Sequence, residues 1–408
     1  MIWHSVPFES LYAEPSRNGI NRPRRVRGSG YKMINMGEIF AYDRIKNPPM
    51  ELVPLSAQEI DKYGIHEGDL LFARQSLVAS GAGKCSIVLD VPEITTFEGH
   101  LIRVRMDKSK VNPLFYFYYF SSFAGMGNIQ SLVMQVAAAG IRGSELAKLN
   151  VPYPPLQIQN KIATALSTYD DLIEKNTRSM ELLEESMRLL YREFFVHLRF
   201  PGYERVKIID GIPDGWEKTV IDDAFKTLGG GTPSKKVDDY WVDGSINWYT
   251  PSDLTKKHLV FMEESSTKTN IIGISKSSAK LFPPYSVMMT SRATIGEISI
   301  NTTEASTNQG FITCIPNERV PLYFLYHWLS DNVPVFLGLA TGATFKEITK
   351  GVFRKLPILI PQNRLLEEFE KTVSTTAELV LNLQRQNIRL VQARDELLAR
   401  LMNGSIPV

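Results

Sequence analysis

Cysteine is almost missing from this chain, which has two cysteines in 408 residues. Cys85 and Cys314 lie far apart, with no Cys-x-x-Cys spacing and no histidine pattern beside either of them. Neither a disulfide framework nor a zinc site is therefore expected. Such sparse use of cysteine favours a protein of the reducing cytoplasm.

Long apolar runs and an excess of charge of one sign are also missing. The most apolar stretch, 114–123, is too short to cross a bilayer, and the N-terminal residues lack a basic segment followed by an apolar one. We expect neither a membrane span nor secretion. The formal net charge is only +2, so evidence for a nucleic-acid partner has to come from local features.

Motifs that carry catalysis or bind cofactors are absent as well. The six histidines include no His-Glu-x-x-His pair, and Leu228–Pro233 (LGGGTP) lacks the glycine spacing of a dinucleotide or phosphate loop. Phe282–Tyr285 (FPPY) is similar to the tetrapeptide with which amino-methyltransferases hold a target base, but Phe282 replaces its polar first residue. A turn before an apolar strand is the better interpretation. The sequence therefore predicts recognition without catalysis, and no metal or other cofactor.

What is present is the composition of a globular protein of more than one domain, with 43% hydrophobic and 22% charged residues. The chain is also an internal repeat. Asn112–Ser122 aligns with Val320–Ser330, Lys148–Asn160 with Lys355–Glu367, and 98–104 with 308–314, at offsets of 207 to 210 residues. Because these matches occur in the same order, we infer one unit of about two hundred residues that is present twice.

Each repeat begins with short apolar runs that predict strands, continues with one run that predicts a buried helix, and ends in a long helix. The predicted strands include 69–73, 86–89 and 287–290, and the predicted buried helices are 114–123 and 322–329. The long helices open after Pro155 and Pro361 and should stop at Pro201-Gly202 and Asn403-Gly404. The predicted domains are a first globular domain at 1–155, a first long helix at 156–199, a linker with a second globular domain at 200–362, and a second long helix at 363–404.

Both long helices carry a seam of mostly apolar residues in alternating steps of four and three, which is the pattern of a coiled coil. The seam includes Ile162, Tyr169, Asn176, Leu183, Leu190, Val380, Asn387 and Leu397. A two-fold relation between the repeats predicts antiparallel helices, in a register that places Asn176 opposite Asn387 and Phe194 beside Phe369. The alternative is that each helix lies on its own domain as an amphipathic stripe.

A local basic feature lies near the start of each repeat. In the first repeat it is the loop that contains Arg22, Arg24, Arg25, Arg27 and Lys32, with no acidic residue between Glu14 and Glu38. Such a loop can follow a phosphate backbone and offer guanidinium groups to guanine edges, or it can be a solvated loop without a partner. The matching loop of the second repeat has Thr232, Ser234, Lys235 and Lys236, but also Asp238 and Asp239. If both loops bind DNA, they should read different sequences.

This layout resembles the specificity (S) subunit of Type I restriction–modification systems over the whole chain. The most specific resemblance is at the domain-to-helix junctions, KLNVPYPPLQIQNKIA at 148–163 and KLPILIPQNRLLEEF at 355–369, and in the inter-domain segment at 190–221. The stretches GWEKTVIDDAFKTLGGGTPS at 215–234 and SINWYTPSDL at 245–254 resemble the opening of that family's target recognition domains. The second junction departs from the family pattern, because the usual Pro-Leu-x-x-Gln is reduced to Pro361-Gln362-Asn363.

The resemblance implies a mixed α/β (α+β) fold, in which two pseudo-repeated α/β target recognition domains are separated by two long antiparallel coiled-coil helices with pseudo-two-fold symmetry. It implies binding to a bipartite, asymmetric site on double-stranded DNA, docking of two modification (methyltransferase) subunits, and association with restriction subunits. The adenine-N6 methyltransferase and endonuclease activities would lie on those partners. The chain itself would be a non-catalytic cytoplasmic subunit.

The resemblance also places DNA contacts on the opening loops, on two strand ends and on two later loops. The candidates are Arg22, Arg24, Arg25, Arg27, Lys32, Arg74, Gln75, Arg142, Thr232, Ser234, Lys235, Lys236, Ser291, Arg292, Thr344 and Lys346. Two other functions remain open. A coiled-coil scaffold that does not bind DNA fits the near-zero net charge, and a fused or degenerate DNA methyltransferase is disfavoured by the missing cofactor loop.

Overall fold

The computed structural model describes residues 3–76, 81–135, 139–342 and 344–406. The chain forms two compact units, the first made of Met1–Lys175 with Asn387–Val408 and the second of Asn176–Gln386. Each unit therefore contains a globular part together with half of each long helix, whereas the predicted domains set those helices apart. The physical reason is that the helices bury apolar side chains, such as Ile162 in the first unit and Phe369 in the second, in the cores of the globular parts.

The first unit contains thirteen strands and five short helices among its described residues, followed by the first long helix. The strands are β1 (Ser5–Pro7), β2 (Tyr12–Asn18), β3 (Tyr31–Ile34), β4 (Arg44–Lys46), β5 (Glu51–Val53), β6 (Leu70–Ala73), β7 (Gln75–Ser76), β8 (Cys85–Asp90), β9 (Thr95–Phe97), β10 (Leu101–Met106), β11 (Met134–Gln135), β12 (Ala139–Gly140) and β13 (Asn150–Pro152). The helices are α1 (Met36–Ala41), α2 (Ala57–Tyr63), α3 (Pro113–Ser121), α4 (Phe123–Ser131), α5 (Gly143–Lys148) and the long α6 (Leu156–Tyr191), which continues into the second unit.

The second unit repeats this order of elements. Its strands are β14 (Ile208–Ile209), β15 (Ile212–Pro213), β16 (Glu217–Val220), β17 (Lys226–Gly229), β18 (Ile246–Tyr249), β19 (Phe261–Met262), β20 (Lys268–Thr269), β21 (Val287–Arg292), β22 (Thr294–Asn301), β23 (Ala305–Thr307), β24 (Phe311–Ile315) and β25 (Pro357–Ile360). Its helices are α7 (Ile221–Ala224), α8 (Pro251–Lys257), α9 (Ile271–Ser275), α10 (Leu322–Asp331), α11 (Val333–Leu339), α12 (Lys350–Arg354) and the long α13 (Asn363–Met402), which ends in the first unit.

The main sheets of the two units have the same topology. The five-stranded sheets have the orders β2-β10-β6-β8-β4 and β17-β24-β21-β22-β19, and in each the last strand pairs in parallel with its neighbour. The three-stranded sheets β5-β3-β9 and β20-β18-β23 also correspond, as do the pairs β1-β13 and β16-β25. The predicted internal repeat and the predicted mixed α/β class are therefore confirmed, and so are the predicted strands at 69–73, 86–89 and 287–290.

The predicted buried helices are confirmed as α3 and α10. Asn112 caps α3 by accepting the Leu114 N–H at 2.9 Å, Pro113 stands at its start, and a run of six buried aromatic residues follows at Phe115–Phe120. A helix that is apolar on all sides has to lie inside a core, and this one packs under the five-stranded sheet. Among the described residues, no helix is both long and apolar enough to span a membrane.

The first long helix ends earlier than predicted. After Tyr191 the chain makes a wider, π-helical turn at Arg192–Val196, and Leu198 then adopts a left-handed conformation with φ of 55°. The Arg199 N–H donates to the Glu193 carbonyl at 2.7 Å and closes the helix end. Phe195 of this turn packs against the Phe369 ring with centroids 5.0 Å apart. The second long helix ends at Met402, as predicted from Asn403-Gly404.

Candidate nucleic-acid interface

Three cationic residues of the first opening loop are held by carboxylates within the same unit. Arg22 lies 2.5 Å from Glu59, Arg27 lies 2.5 Å from Glu51, and Lys32 lies 2.7 Å from Glu93. The hydrogen bond from Arg22 also keeps the pKa of the Glu59 carboxyl below its ordinary value. These ion pairs connect the loop to β5, α2 and the segment before β9. Arg22, Arg27 and Lys32 therefore have partners within the fold, and their contact with phosphates stays a prediction.

The other two arginines of this loop remain exposed. Arg24 and Arg25 lie on a 3-10 turn at Arg24–Val26, which ends where the Arg27 N–H donates to the Arg24 carbonyl at 3.1 Å. No ion pair to either guanidinium occurs within the described ranges of the chain. The ion-paired residues Arg22 and Arg27 hold the turn in place, and Arg24 and Arg25 extend from it. This is a suitable arrangement for contacting an anionic backbone.

Backbone hydrogen bonds bring three of the predicted segments of the first unit together. In the opening loop the Ile20 N–H donates to the Phe97 carbonyl at 2.9 Å, and the Arg74 N–H donates to the His100 carbonyl at 2.8 Å. The Ile141 N–H then donates to the Arg74 carbonyl at 2.9 Å, which places Arg142 beside the end of β6. The opening loop, the strand end at Arg74–Gln75 and the loop at Arg142 are therefore neighbours in the fold, and together they make up the candidate surface.

The second unit brings the corresponding segments together with the same bonds. The Gly231 N–H donates to the Thr307 carbonyl, and the Ser291 N–H donates to the Gly310 carbonyl at 2.8 Å. The Ile348 N–H donates to the Ser291 carbonyl at 3.0 Å, and a β-bridge joins Arg292 to Glu347. Thr344 and Lys346 are exposed at the tip of that loop. The candidate surface is thus built on a repeated backbone framework.

A glycine is required at the same point of both frameworks. A Cβ atom on Gly19 would clash with the Phe97 carbonyl oxygen, and one on Gly230 would clash with the Asn308 carbonyl oxygen. Both contacts are to backbone atoms, which cannot rotate away. The opening loop can therefore approach the neighbouring loop closely only because these positions lack a side chain.

The opening loop of the second unit is organised around tryptophan. Lys235 lies over the ring of Trp248 at 5.9 Å, and Trp241 packs edge-on against Trp248 with centroids 5.1 Å apart. The indole N–H of Trp241 donates to the Ser234 carbonyl at 3.1 Å. Lys235 and Lys236 are exposed, so both ammonium groups remain accessible to a phosphate.

Two predicted residues of the second unit have side chains that are partly or wholly used inside the fold. Ser291 is only 2% exposed, so its side chain is not available to DNA, and this prediction is not supported. The Thr232 hydroxyl donates to the Gln309 side chain at 2.6 Å. Arg292 is exposed, with Glu347 3.9 Å away, and stands at the end of β21 before a turn at Ala293.

Three further polar or aromatic side chains lie on the same surface, although no sequence pattern singles them out as contacts. His100 Nδ1 lies 3.2 Å from Gln75 Oε1, Gln309 meets Thr232, and Phe345 is 58% exposed beside Lys346. The alignment of 98–104 with 308–314 marks the loops that carry His100 and Gln309. Only the tertiary structure identifies Phe345, because its exposure depends on how the loop folds back on β21.

All eight seam residues of the long helices are buried or half-buried. In the first unit Asn387 Nδ2 donates to the Ile173 carbonyl at 3.2 Å, and in the second Asn176 Nδ2 donates to Gln386 Oε1 at 3.1 Å. The Phe194 and Phe369 rings lie 6.1 Å apart, as the antiparallel register requires. The predicted register is therefore confirmed to within one helical turn. The alternative, in which each helix packs on a globular domain as an amphipathic stripe, is also partly right, because both helices contribute residues to the globular cores.

The two cysteines and the FPPY segment lie in structural environments. Cys85 and Cys314 are buried, and burial raises the pKa of both thiols well above the ordinary value. At the FPPY segment, Phe282 is buried in the core, and Tyr285 adopts φ of 60° in the turn that leads into β21. The predicted turn is thus confirmed. Across the described ranges, no group of three or more histidine, cysteine or acidic side chains is arranged to hold a metal ion.

Known proteins share both the sequence pattern and the fold of this chain. The MjaIX Type I restriction enzyme specificity subunit of Methanocaldococcus jannaschii is 29% identical over 196 residues, which is 48% of this chain and 45% of that protein. The putative MjaX specificity subunit of the same organism is 23% identical over 409 residues, covering 97% and 92%. The HindI specificity subunit of Haemophilus influenzae is 25% identical over 323 residues, covering 64% and 70%.

The fold is similar to a solved structure along almost its whole length. The crystal structure of the Type-I restriction-modification system S subunit from M. genitalium matches with a TM-score of 0.61 at 14% identity, over 98% of this chain and 96% of that one. The family model of the Type I restriction modification DNA specificity domain matches twice, at residues 25–185 and 213–379. These two matches follow the internal repeat, and together they cover most of the chain. The chain therefore belongs to the family of Type I restriction modification DNA specificity domains.

Proposed function

We propose that this chain is the sequence-specific DNA-recognition subunit of a Type I restriction–modification complex. One observation carries the proposal: the same backbone framework occurs in both units but presents different side chains. The first unit offers Arg24, Arg25 and Gln75, and the second offers Lys235 and Arg292. Two related DNA-reading units, here called readers, that present different side chains fit a bipartite, asymmetric site on double-stranded DNA.

The proposed readers combine cations with groups that can discriminate between bases. Exposed arginine and lysine bind phosphates and account for affinity, whereas arginine and glutamine can form bidentate hydrogen bonds with guanine and adenine edges. In this proposal Arg74, Gln75 and Arg142 of the first unit, and Arg292, Thr344 and Lys346 of the second, face the DNA. The opening-loop residues Arg24, Arg25, Ser234, Lys235 and Lys236 approach the backbone or the groove.

We further propose that modification subunits, two per chain, and restriction subunits dock on this chain in the cytoplasm. Adenine-N6 methylation and DNA cleavage would take place on those partners. The long helices support the proposal, because apolar side chains remain outside the seam. Leu172, Leu182, Leu189, Leu379 and Ile388 are 37–54% exposed. Large apolar groups left in solvent are typical of a surface that a partner covers.

The test is to express the chain with its modification subunit in a host that lacks other adenine methylation, and to sequence the methylated positions. The proposal expects one motif with two defined parts, separated by a spacer of fixed length. Methylation without a motif, or none in the presence of the assembled complex, would contradict it.

The scaffold function predicts no salt-dependent DNA binding by the complex. The methyltransferase function predicts that the purified chain alone binds S-adenosylmethionine.

A further inference from the structure

In the first unit a buried carboxylate on one long helix pairs with a half-buried arginine on the other. Asp170 of α6 is only 6% exposed, and one of its carboxylate oxygens accepts the Tyr118 hydroxyl at 2.6 Å. The other oxygen accepts a hydrogen bond of 2.6 Å from the guanidinium of Arg394 on α13. Both oxygens are therefore satisfied. Arg394, on the opposite helix, is the cation that is hydrogen-bonded to Asp170, and the guanidinium of Arg44 on β4 lies 4.0 Å from the same carboxylate. Removing one partner of such a pair leaves a poorly solvated charge, which is strongly destabilising.

The second unit has an apolar pair at the equivalent positions. Lys148 aligns with Lys355, and the same offset converts Asp170 into Ala377 and Met187 into Arg394. Ala377 is 0% exposed and Met187 is 4% exposed, and both belong to one hydrophobic cluster. The repeat therefore places a charged layer between the helices in one unit and an apolar layer in the other.

This difference matters when two copies of the chain meet. The helices are related by the repeat, so α6 of one copy can compete with α13 as the antiparallel partner of α6 in another copy. In the observed register, that pairing would place Asp170 against Met187. Pairing of two α13 helices would likewise place Arg394 against Ala377. Each wrong pairing loses the Asp170–Arg394 bond and leaves a charge against an apolar residue.

We propose that the layer formed by Asp170 and Arg394 makes the helices pair α6 with α13 and excludes pairing between equivalent helices of two copies. The layer would act while chains are being synthesised, when α6 exists before α13 has been made. Its importance for target choice rests on the proposed function. An assembly with two first units would read a symmetric site instead of an asymmetric one.

The test starts from the folded full-length chain with a protease site inserted into the exposed hairpin at Ile208–Pro213. After cleavage, unlabelled and 15N-labelled samples are mixed, allowed to exchange, and analysed by native mass spectrometry. The wild-type protein should form only complexes of an N-terminal with a C-terminal fragment. The variant Asp170→Ala with Arg394→Met, which copies the apolar layer, should form complexes of two equivalent fragments at least about tenfold more often.

Two further variants control this experiment. Arg178→Ala with Glu181→Ala removes an ion pair of the same charge types that is exposed on the outside of α6, with both side chains more than half exposed, and should leave the wild-type pairing unchanged. Asp170→Asn with Arg394→Gln removes the charges but keeps a polar pair, and should form equivalent pairs more often than the wild type and less often than the apolar variant. Frequent equivalent pairs in the wild type, or none in either layer variant, would overturn the proposal. Because the assay contains no DNA, its result is independent of the proposed function.

Discussion

At the scale of single residues, the same positive charge has two different uses in the opening loop of the first unit. Arg22 and Arg27 carry carboxylate partners at 2.5 Å, so their guanidinium groups hold the loop together. Arg24 and Arg25 have the same chemistry but extend from a short turn into solvent. The difference arises because Glu59 and Glu51, which are distant in sequence, lie beside Arg22 and Arg27. No carboxylate of the described residues forms an ion pair with the two arginines between them.

The first prediction follows from this separation and concerns two double variants. Arg24→Ala with Arg25→Ala should alter recognition of one half of the target, and Lys235→Ala with Lys236→Ala should alter the other. A base contact should cost about 1–3 kcal/mol and relax one position of the motif, whereas a phosphate contact should lower affinity uniformly and flatten the salt slope. Methylation motifs and binding isotherms at several salt concentrations measure both effects.

Lys256 and Lys257 provide the matched control, because they are adjacent exposed lysines on α8, away from the opening loop in sequence. Their replacement by alanine should leave the motif unchanged. If both opening-loop double variants changed the same half of the motif, the assignment of one reader to each unit would fail.

The second prediction concerns the pH dependence of stability. Burial, and to a smaller extent the neighbouring Glu181, raises the pKa of Glu184 to about 7. A carboxyl whose pKa is higher in the folded state stabilises the protein at low pH, and this contribution is lost as the pH rises through about 7. In the Glu184→Gln variant, the unfolding free energy should therefore fall less between pH 5 and pH 8 than it does in the wild type. The two falls should differ by less than about 2 kcal/mol, because the side chain is partly solvated.

Denaturant unfolding at pH 5 and pH 8 measures this effect. Glu367→Gln, an exposed carboxyl on α13, is the control and should leave the difference between the two pH values unchanged. An equal pH dependence in Glu184→Gln and in the wild type would show that Glu184 does not titrate in this range.

At the scale of elements, the long helices cap the buried helices on which they pack. Gln159 of α6 accepts the Asn112 N–H at 2.9 Å, just before α3. Glu370 of α13 accepts the N–H groups of Phe324 and Tyr323 at the start of α10, at 2.7 and 3.2 Å. The first N–H groups of a helix have no partner within the helix, so these side chains satisfy donors that would otherwise be buried without one.

The third prediction tests this capping in the second unit. Glu370→Ala should lower the unfolding free energy by about 1–2 kcal/mol, since two buried N–H groups lose their acceptor. Glu370→Gln keeps one acceptor oxygen and should recover part of the loss. Glu367→Ala, on the exposed side of the same helix, should have little effect on a urea denaturation curve. An equal loss in the glutamine and alanine variants would argue against the capping role.

At the scale of the whole molecule, α6 and α13 each run through both compact units without a break. An α-helix rises about 1.5 Å per residue, and a heptad therefore adds about 10 Å, which corresponds to about three base pairs of DNA. A coiled-coil seam keeps its phase when seven residues are inserted, but not when one is inserted. Under the proposed function, we expect the length of the helices to set the spacer between the two parts of the target.

The fourth prediction is that heptads inserted after Lys175 in α6 and after Gln386 in α13 lengthen the spacer by about three base pairs and leave both half-sites unchanged. Single-residue insertions at the same points are the comparison and should weaken assembly, because they break the seam. Sequencing of the methylated motif measures the spacer. Full activity with an unchanged spacer would show that the helices do not set the distance.

The order of elements, the internal repeat and the helix seam were all accessible from the amino-acid sequence. Each depends on local patterns. These are the spacing of apolar residues along the chain, the Pro and Gly residues at the helix ends, and the similarity of 98–104, 112–122 and 148–160 to later segments. The register of the long helices could also be predicted, because apolar residues and asparagines in the seam can match in few ways. Local patterns predict these features because they act between residues that are close in the chain or repeat along it.

Long-range contacts decided the rest, and they decided most of the candidate interface. The sequence could not show that Glu51, Glu59 and Glu93 neutralise part of the basic loop, or that Ser291 is buried while Phe345 is exposed. It also could not show that Asp170 meets Arg394 while the equivalent Ala377 and Met187 share an apolar cluster. Ion pairs, burial and close backbone approach join residues that are remote in the chain, so their outcome depends on how the whole unit packs.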